Sequence, residues 1–386
     1  MPSQKLCFMS KEIRITDLQR GVAQPADNDE LCTLFKSISM KSDLHLSVER
    51  DPDFFQLYNI QRAEWNVWTT RLNGKIEAIG TMMKRPAYIG GEAAAVGYAG
   101  DLRLTKKLRG GKVLGRVFGD LFNQSMENYQ VPVALTAIIH SNKRAVKALV
   151  ERKPEYPEKP HYKLFRKFRI RNVQFTRKKK LRSGKYLVRT AKPEDIPAIV
   201  AFLDADHKHR PFGYIFAEDF FQWRLQQWPN FDISNFFLAF DAANQLVGLT
   251  ATWDPSVVKR FRVLGYYNQM KWVRMGFNLG SWFFGYDKLP PSGSLFNYFY
   301  LTHVSILDEN PEVMKSLIDV IYATFHGKGY QFFTCCVMDQ DPLKMAYQTY
   351  RYTDLPAGLY LVSPYHSPVE PDSFGSGRPG FEMALV

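Results

Sequence analysis

The segment Leu102-Arg103-Leu104-Thr105-Lys106-Lys107-Leu108-Arg109-Gly110-Gly111-Lys112-Val113-Leu114 carries the most chemistry for its length. Leu102 and Leu104 fit the end of a strand, the two glycines a turn, and the residues from about Val113 to Asn128 a helix. Leu114, Val117, Phe118, Leu121 and Phe122 fall on one face of that helix. The first N–H groups of a helix lack intrahelical partners and carry the positive end of its dipole, so an anion is stabilised there. Glycine lets backbone approach the anion closely, and Lys106, Lys107, Arg109 and Lys112 add charge. A pyrophosphate suits such a loop; a glycine-rich turn with solvated lysines is the plainer reading.

Proton transfer has three candidates in the same half. Asp101 stands beside the strand end, His140 closes the apolar strand Val133 to Ile139, and Glu64 lies further upstream. A surface acid and a capping histidine are the competing readings. Cys335-Cys336 in a Phe-rich strand reads as two buried small hydrophobes. His207 and His209 are two apart with no further ligand cluster, so no metal site is expected. The aromatic run Trp272, Phe277, Trp282, Phe283, Phe284, Tyr286 reads as second-half core, with an apolar substrate pocket as the other use.

These groups need a scaffold. At 386 residues, 45% hydrophobic and 23% charged, the chain is globular and long enough for two domains. No window approaches 18 consecutive apolar residues, so no membrane span is expected, and the N-terminus lacks a secretory h-region. Four cysteines make no disulfide framework. A cytoplasmic protein is the expectation. The net charge of +13 attracts polyanions: nucleic acid, an anionic membrane surface or a phosphate-rich cofactor. Cations concentrate between Arg166 and Lys185, which places a boundary near 176–185.

Both sides of that boundary follow one order: strand, helix, hairpin, long strand, helix, strand, helix, strand. The first hairpin spans Arg71 to Gly80 with Asn73-Gly74 as its turn; the second spans Asn235 to Thr250. In the second half Phe296 to Leu307 is the long strand, followed by a helix Glu312 to His326 and a strand Gln331 to Met338. A helix Leu343 to Tyr352, a strand Gly358 to Val362 and a last strand Phe381 to Val386 complete it. An α/β class follows for both halves.

The 102–114 segment resembles the pyrophosphate loop of the GNAT acyltransferase superfamily: strand, Arg/Gln-x-x-Gly-x-Gly/Ala, helix. Arg109-Gly110 occupies the Arg-Gly positions, and Lys112 and Leu114 replace the later small residues. The stretch Asn142-Lys143-Arg144-Ala145 is similar to the family's Asn-x-x-Ala helix, whose Asn faces the pantetheine arm; helix capping is its alternative use. Where the family often has an acid Tyr seven residues after that Asn, this chain has Leu149. In the second half Ala346 and Tyr350 hold the Ala and acid-Tyr positions, while the loop Asp308-Glu309-Asn310-Pro311-Glu312 sets three carboxylates where a pyrophosphate would lie.

The resemblance implies two GNAT-like domains, each a mixed, mostly antiparallel sheet flanked by helices. Residues 1–175 hold the acyl-CoA loop, 176–185 the basic linker and 186–386 a degenerate second copy. It implies acetyl-CoA or another acyl-CoA as co-substrate, bound by Leu102, Leu104, Arg109, Gly110, Gly111, Lys112, Val113, Leu114 and Asn142, with main-chain groups of Leu102–Leu104 meeting the thioester. Asp101, His140, Glu64 and Tyr350 are the candidates for proton transfer. The implied reaction is N-acylation, acetylation first among the options, of a primary amine on a small molecule or peptide. The other class is a non-catalytic or aminoacyl-tRNA-related protein using its cations on nucleic acid, though base-stacking aromatics among them are few.

Overall fold

A computed structural model describes residues 15–40, 42–109, 117–152, 154–179 and 184–386. The first half runs β1 (Leu18–Val22), α1 (Asn28–Ser37), β2 (Leu44–Glu49), the short α2 (Gln56–Asn59), β3 (Glu64–Leu72), β4 (Lys75–Ile89) and β5 (Glu92–Leu104). Next come α3 (Gly119–Tyr129), β6 (Ala134–Ile139), the single turn α4 (Lys143–Ala145), a π-helical turn Val146–Val150, and β7 (His161–Gln174). The second half runs β8 (Leu187–Thr190), α5 (Ile196–Lys208), α6 (Glu218–Gln227), β9 (Phe236–Phe240), β10 (Leu246–Trp253), β11 (Arg260–Tyr266) and α7 (Gln269–Phe284). It ends with β12 (Tyr298–Ile306), α8 (Pro311–Phe325), β13 (Phe332–Met338) and β14 (Tyr352–Ser363).

Twelve strands form one sheet in the order β1-β3-β4-β5-β6-β14-β7-β13-β12-β10-β9-β8, and β2 pairs with β11 in a separate ribbon. The order is the same read inward from either edge, so the two halves are structural repeats. The middle is an exchange: β14 of the second half pairs with β6, and β7 of the first half pairs with β13. β7 and β14 then pair with each other from Tyr352↔Val173 to Ser363↔His161. The class is α/β, a mixed and mostly antiparallel sheet flanked by helices; among the described residues only β5–β6 and β12–β13 run parallel.

Local chemistry explains the hairpins. Asn73 (φ 52°) and Gly74 (φ 78°) take the left-handed backbone that a tight β3–β4 turn requires. The β9–β10 turn is held by Asp241, whose carboxylate accepts the Ala243 and Gln245 N–H groups at 2.9 Å each.

Four expectations are corrected. The segment 381–386 is not a strand: Met383–Leu385 form a 3-10 turn and are buried at 6%, 0% and 2% exposure. The expected helix over 343–352 is a 3-10 turn, Pro342–Tyr347, because β14 already begins at Tyr352. The helix expected to begin at Asn142 is one α turn followed by the π turn. The aromatic run 272–286 is neither core nor pocket lining for the most part: α7 leaves Trp272, Trp282, Phe283 and Phe284 exposed. Cys335 is buried, and burial pushes its thiol up to about 12.

Candidate active site

Each half contains the same backbone device. In the first, the parallel β5–β6 ladder lasts only for Gly97↔Ala134 and Tyr98↔Leu135, after which the strands part. Gly97 is required at this apex, because a Cβ there would stand 2.9 Å from the Ala134 Cβ. Just beyond, β5 is bulged against β4: Asp101 and Leu102 oppose Gly80, and Asp101 takes a positive φ of 48°. In the second half β12–β13 pairing stops after Tyr300↔Thr334, His303 and Val304 oppose Thr250, and His303 has a φ of 52°. Two bulged strands thus open two wedges in one sheet.

The two bulge residues live differently. Asp101 receives Arg50 at 2.8 Å and the Tyr58 hydroxyl at 2.6 Å, while Arg50 also donates to the Tyr58 oxygen at 2.7 Å. Arg50 is 1% exposed and boxed by the rings of Phe35, Phe54 and Tyr58. Burial would raise the Asp101 carboxyl, but the Arg50 charge and the Tyr58 hydrogen bond hold it below the usual carboxylate range. His303 is buried at 2% exposure, with Arg224 at 2.6 Å from Nε2. Arginine only donates, so Nε2 is the acceptor and Nδ1–H donates to Thr302 Oγ1 at 2.8 Å. Burial first, and the Arg224 charge second, drive the imidazole well below its ordinary pKa, so it is neutral.

Between the wedges lies the segment 378–386. Arg85 on β4 donates to the Gly380 carbonyl at 2.7 Å and to that of Phe212 at 2.8 Å. Phe381 stacks toward Tyr98 at 6.4 Å between ring centroids. Lys259 donates to the Ala384 carbonyl at 3.3 Å and the Val386 carbonyl at 2.5 Å, and burial pulls its amine down to about 7.

Two small cavities flank this segment. One, about 20 Å³, is bounded by Gly97, Tyr98 and Leu135 at the first wedge's apex and by Arg85, Tyr214 and Glu382 opposite. The other, about 30 Å³, is bounded by His207, His303, Arg210, Arg378 and again Glu382. Each has room for about one water molecule. The half-buried Glu382 therefore lines both, and its Oε2 accepts the His303 backbone N–H at 3.1 Å. Burial raises its carboxyl above the usual range, only partly offset by that N–H and by Arg224 and Arg378. A carboxylate raised in this way is a stronger base than an ordinary one, and it stands beside space for a water.

Of the residues singled out by sequence, the fold brings Asp101, Leu102, Leu104 and Arg109 together on β5 and the turn after it. Leu102 packs over Gly80, and the Leu104 carbonyl accepts Arg109 Nε at 2.9 Å. His140 lies at the end of β6 toward β14, its N–H on the Pro356 carbonyl at 3.0 Å. Asn142 caps the next turn, accepting the Ala145 N–H at 3.2 Å. Gly110, Gly111, Lys112, Val113 and Leu114 lie outside the described residues. Glu64 sits apart in an exposed pair with Lys84 at 3.1 Å. Tyr350 is buried against α8, its hydroxyl on Asp319 and its ring 3.3 Å from Lys179 Nζ.

Sequence reasoning missed Glu382, His303 and Arg224. The available signals were an acid inside the apolar Phe381–Val386 run and a histidine inside the apolar β12, both of which need a buried partner. In the second half, Asn310 caps α8 through the Glu312 N–H at 2.9 Å, and Pro311 begins that helix. Much of the basic run lies on β7 and is paired internally: Arg171 is bidentate to Asp354 at 2.8 Å, and Arg169 meets Asp339 at 3.0 Å. Among the described residues no group of His, Cys, Asp or Glu could hold a metal ion, and no helix is long and apolar enough to cross a membrane.

No protein-family model matches the chain, and no curated protein does. Solved structures do match in fold. The myristoyl-CoA-bound N-myristoyltransferase of Saccharomyces cerevisiae superposes with a TM-score of 0.59 at 11% identity, over 90% of this chain and 83% of that one. A GCN5-related N-acetyltransferase from Sphaerobacter thermophilus gives 0.57 at 11% identity, over 95% and 98%. The chain thus shares the fold of these two structures, and here that fold is built from two repeats in tandem.

Proposed function

We propose that the protein is an acyl-CoA-dependent N-acyltransferase that works in the first wedge. The thioester is taken up between β5 and β6, where the β5 edge loses its ladder partners beyond Tyr98. The pyrophosphate is held by the loop after β5, through Arg109, Lys112 and the N–H groups around Gly110 and Gly111. A primary amine, on a small molecule or peptide, reaches the thioester from the side of Tyr214 and Glu382. Glu382 accepts the ammonium proton through one water, so that a neutral amine attacks the carbonyl carbon; the C–S bond then breaks, the nitrogen gives its second proton to the departing sulfur, and coenzyme A leaves as the free thiol.

The observation that carries this reading is the position of Glu382, which shares a water-sized cavity with Gly97, Tyr98 and Leu135 at the apex of the first wedge. The small apex cavity favours acetyl as the acyl group, since a longer chain would have to displace Phe381. Support from the fold is of the same kind: both solved structures described above are N-acyltransferases by name.

Calorimetry with acetyl-CoA and with longer acyl-CoAs tests the donor. Micromolar binding, about −8 kcal/mol, should be weakened at least tenfold by Arg109→Ala with Lys112→Ala. Absence of binding by any acyl-CoA would overturn the reading.

A further inference from the structure

α7 is amphipathic with its apolar side turned outward. At 100° per residue, Trp272, Met275, Leu279, Trp282 and Phe283 fall in one arc, and their exposures are 71%, 59%, 59%, 81% and 71%. The opposite arc carries Arg274, Phe277, Asn278 and Ser281, and Ser281 is the one buried residue of the helix. Polar bonds fix this orientation. Asn278 donates to the Leu289 carbonyl at 3.3 Å and accepts the Leu289 N–H at 2.8 Å, while Tyr286 donates to the Phe277 carbonyl at 2.8 Å. Leu264 and Tyr267, just ahead of the helix in the chain, are also exposed, at 44% and 43%. A helix of a soluble protein normally buries its apolar face, and a contiguous exposed one marks a surface that meets something apolar.

The rim of the patch is cationic. Arg177 lies 5.0 Å over the Phe284 ring, with the exposed Lys178 beside it in sequence. Lys271 is exposed on the helix itself, and Lys288 and Lys328 are exposed on the loops at its C-terminal end. The nearby acids are engaged: Asp287 accepts the Gly329 N–H at 3.0 Å, and Asp43 accepts from Asn268 at 2.8 Å.

We propose that α7 lies flat on an anionic lipid bilayer. The rings of Trp272, Trp282 and Phe283 enter the boundary between headgroups and acyl chains, and the surrounding cations meet lipid phosphates. Sixteen residues span about 24 Å at 1.5 Å each, too short and too polar on the inner face to cross, so the helix stays in the interfacial plane. Charge favours a bilayer over a second copy of the chain: two molecules each carrying +13 would bring like-charged rims together, whereas an anionic surface is complementary to them. This proposal does not depend on the transferase reading, because its readout is lipid binding.

The test is co-sedimentation of the full chain with vesicles of phosphatidylcholine alone and of phosphatidylcholine with phosphatidylglycerol. The protein should partition onto the anionic vesicles, and brominated lipid should quench its tryptophan fluorescence. Trp282→Glu with Phe283→Glu should lower the partition at least tenfold with an unchanged melting temperature, since both side chains are exposed. Arg177→Ala with Lys271→Ala and Lys288→Ala should weaken it, more so at low salt where the wild type binds best. Failure of the wild type to bind anionic vesicles would overturn the proposal. So would undiminished binding by the apolar-face variant, or a dimer that this variant dissolves without any vesicle binding.

Discussion

The two wedges share a backbone and differ in everything placed on it. Both have a short parallel ladder, a two-against-one bulge and a bulge residue with positive φ. In the first, that residue is a carboxylate locked by Arg50 and Tyr58, and the loop beyond carries Lys106, Lys107 and Arg109. In the second it is a neutral imidazole under Arg224, and the segment beyond carries Asp308, Glu309 and, in the first turn of α8, Glu312. The lesson is that a repeated fold fixes where a cleft opens, while the charge on its loop decides whether an anionic ligand can enter it. Segment 378–386 then puts one carboxylate, Glu382, on the border of both.

The sharpest way to break the comparison is at Arg50. Arg50→Met leaves Asp101 buried without its cation and should destabilise the fold by about 3–5 kcal/mol, read as a lowered denaturation midpoint. A change below about 1 kcal/mol would mean that the bulge does not depend on the pair. Next in size, Glu382→Gln should reduce kcat for amine acylation at least about 100-fold while leaving acyl-CoA affinity within a factor of two. A variant that turns over normally would move the base elsewhere, with His140 next in line.

Gly97→Ala tests the apex. Its Cβ would press on Ala134 across the wedge, so stability should fall by about 1–3 kcal/mol and acyl-CoA binding with it. A stable variant with intact binding would show that the two strands do not need their close approach.

The smallest effect is a pH signature that separates the wedges. The native pKa of His303 lies below its unfolded value near 6.5, so the unfolded state binds more protons as pH falls through that value. Stability should therefore decline from about pH 6.5 downward, with His207 contributing in the same direction. The Asp101 pair, whose carboxyl is depressed, is fully present above about pH 3.9 and is lost only below it. His303→Gln keeps an acceptor for Arg224 without a titrating group, and should flatten part of the decline between pH 6.5 and 4.5 in a thermal melt. An unchanged slope would assign the decline to other groups.

Much of the scaffold was legible beforehand. The hairpin at Asn73-Gly74, the β9–β10 hairpin and the strands β5, β6, β12 and β13 follow from turn chemistry and apolar runs, which act over a few residues. The turn Met383–Leu385 was not legible: a run of six with five apolar residues satisfies a strand or a buried turn equally well, and the neighbours decide. Glu382 escaped notice for the same reason. A lone acid in an apolar run has meaning only once the His303 N–H and two arginines are placed around it.

The sequence by itself determined the α/β class, the hairpin in each half and the basic turn after β5, because periodicity, turn residues and charge are local properties. Only the tertiary structure decided that β7 and β14 change places between the halves, and that Asp101 and His303 occupy equivalent bulges. It alone turned the apolar arc of α7 toward solvent. Each of these depends on pairing or packing between residues far apart in the chain. No local pattern encodes which partner an edge, a buried charge or a helix face will find.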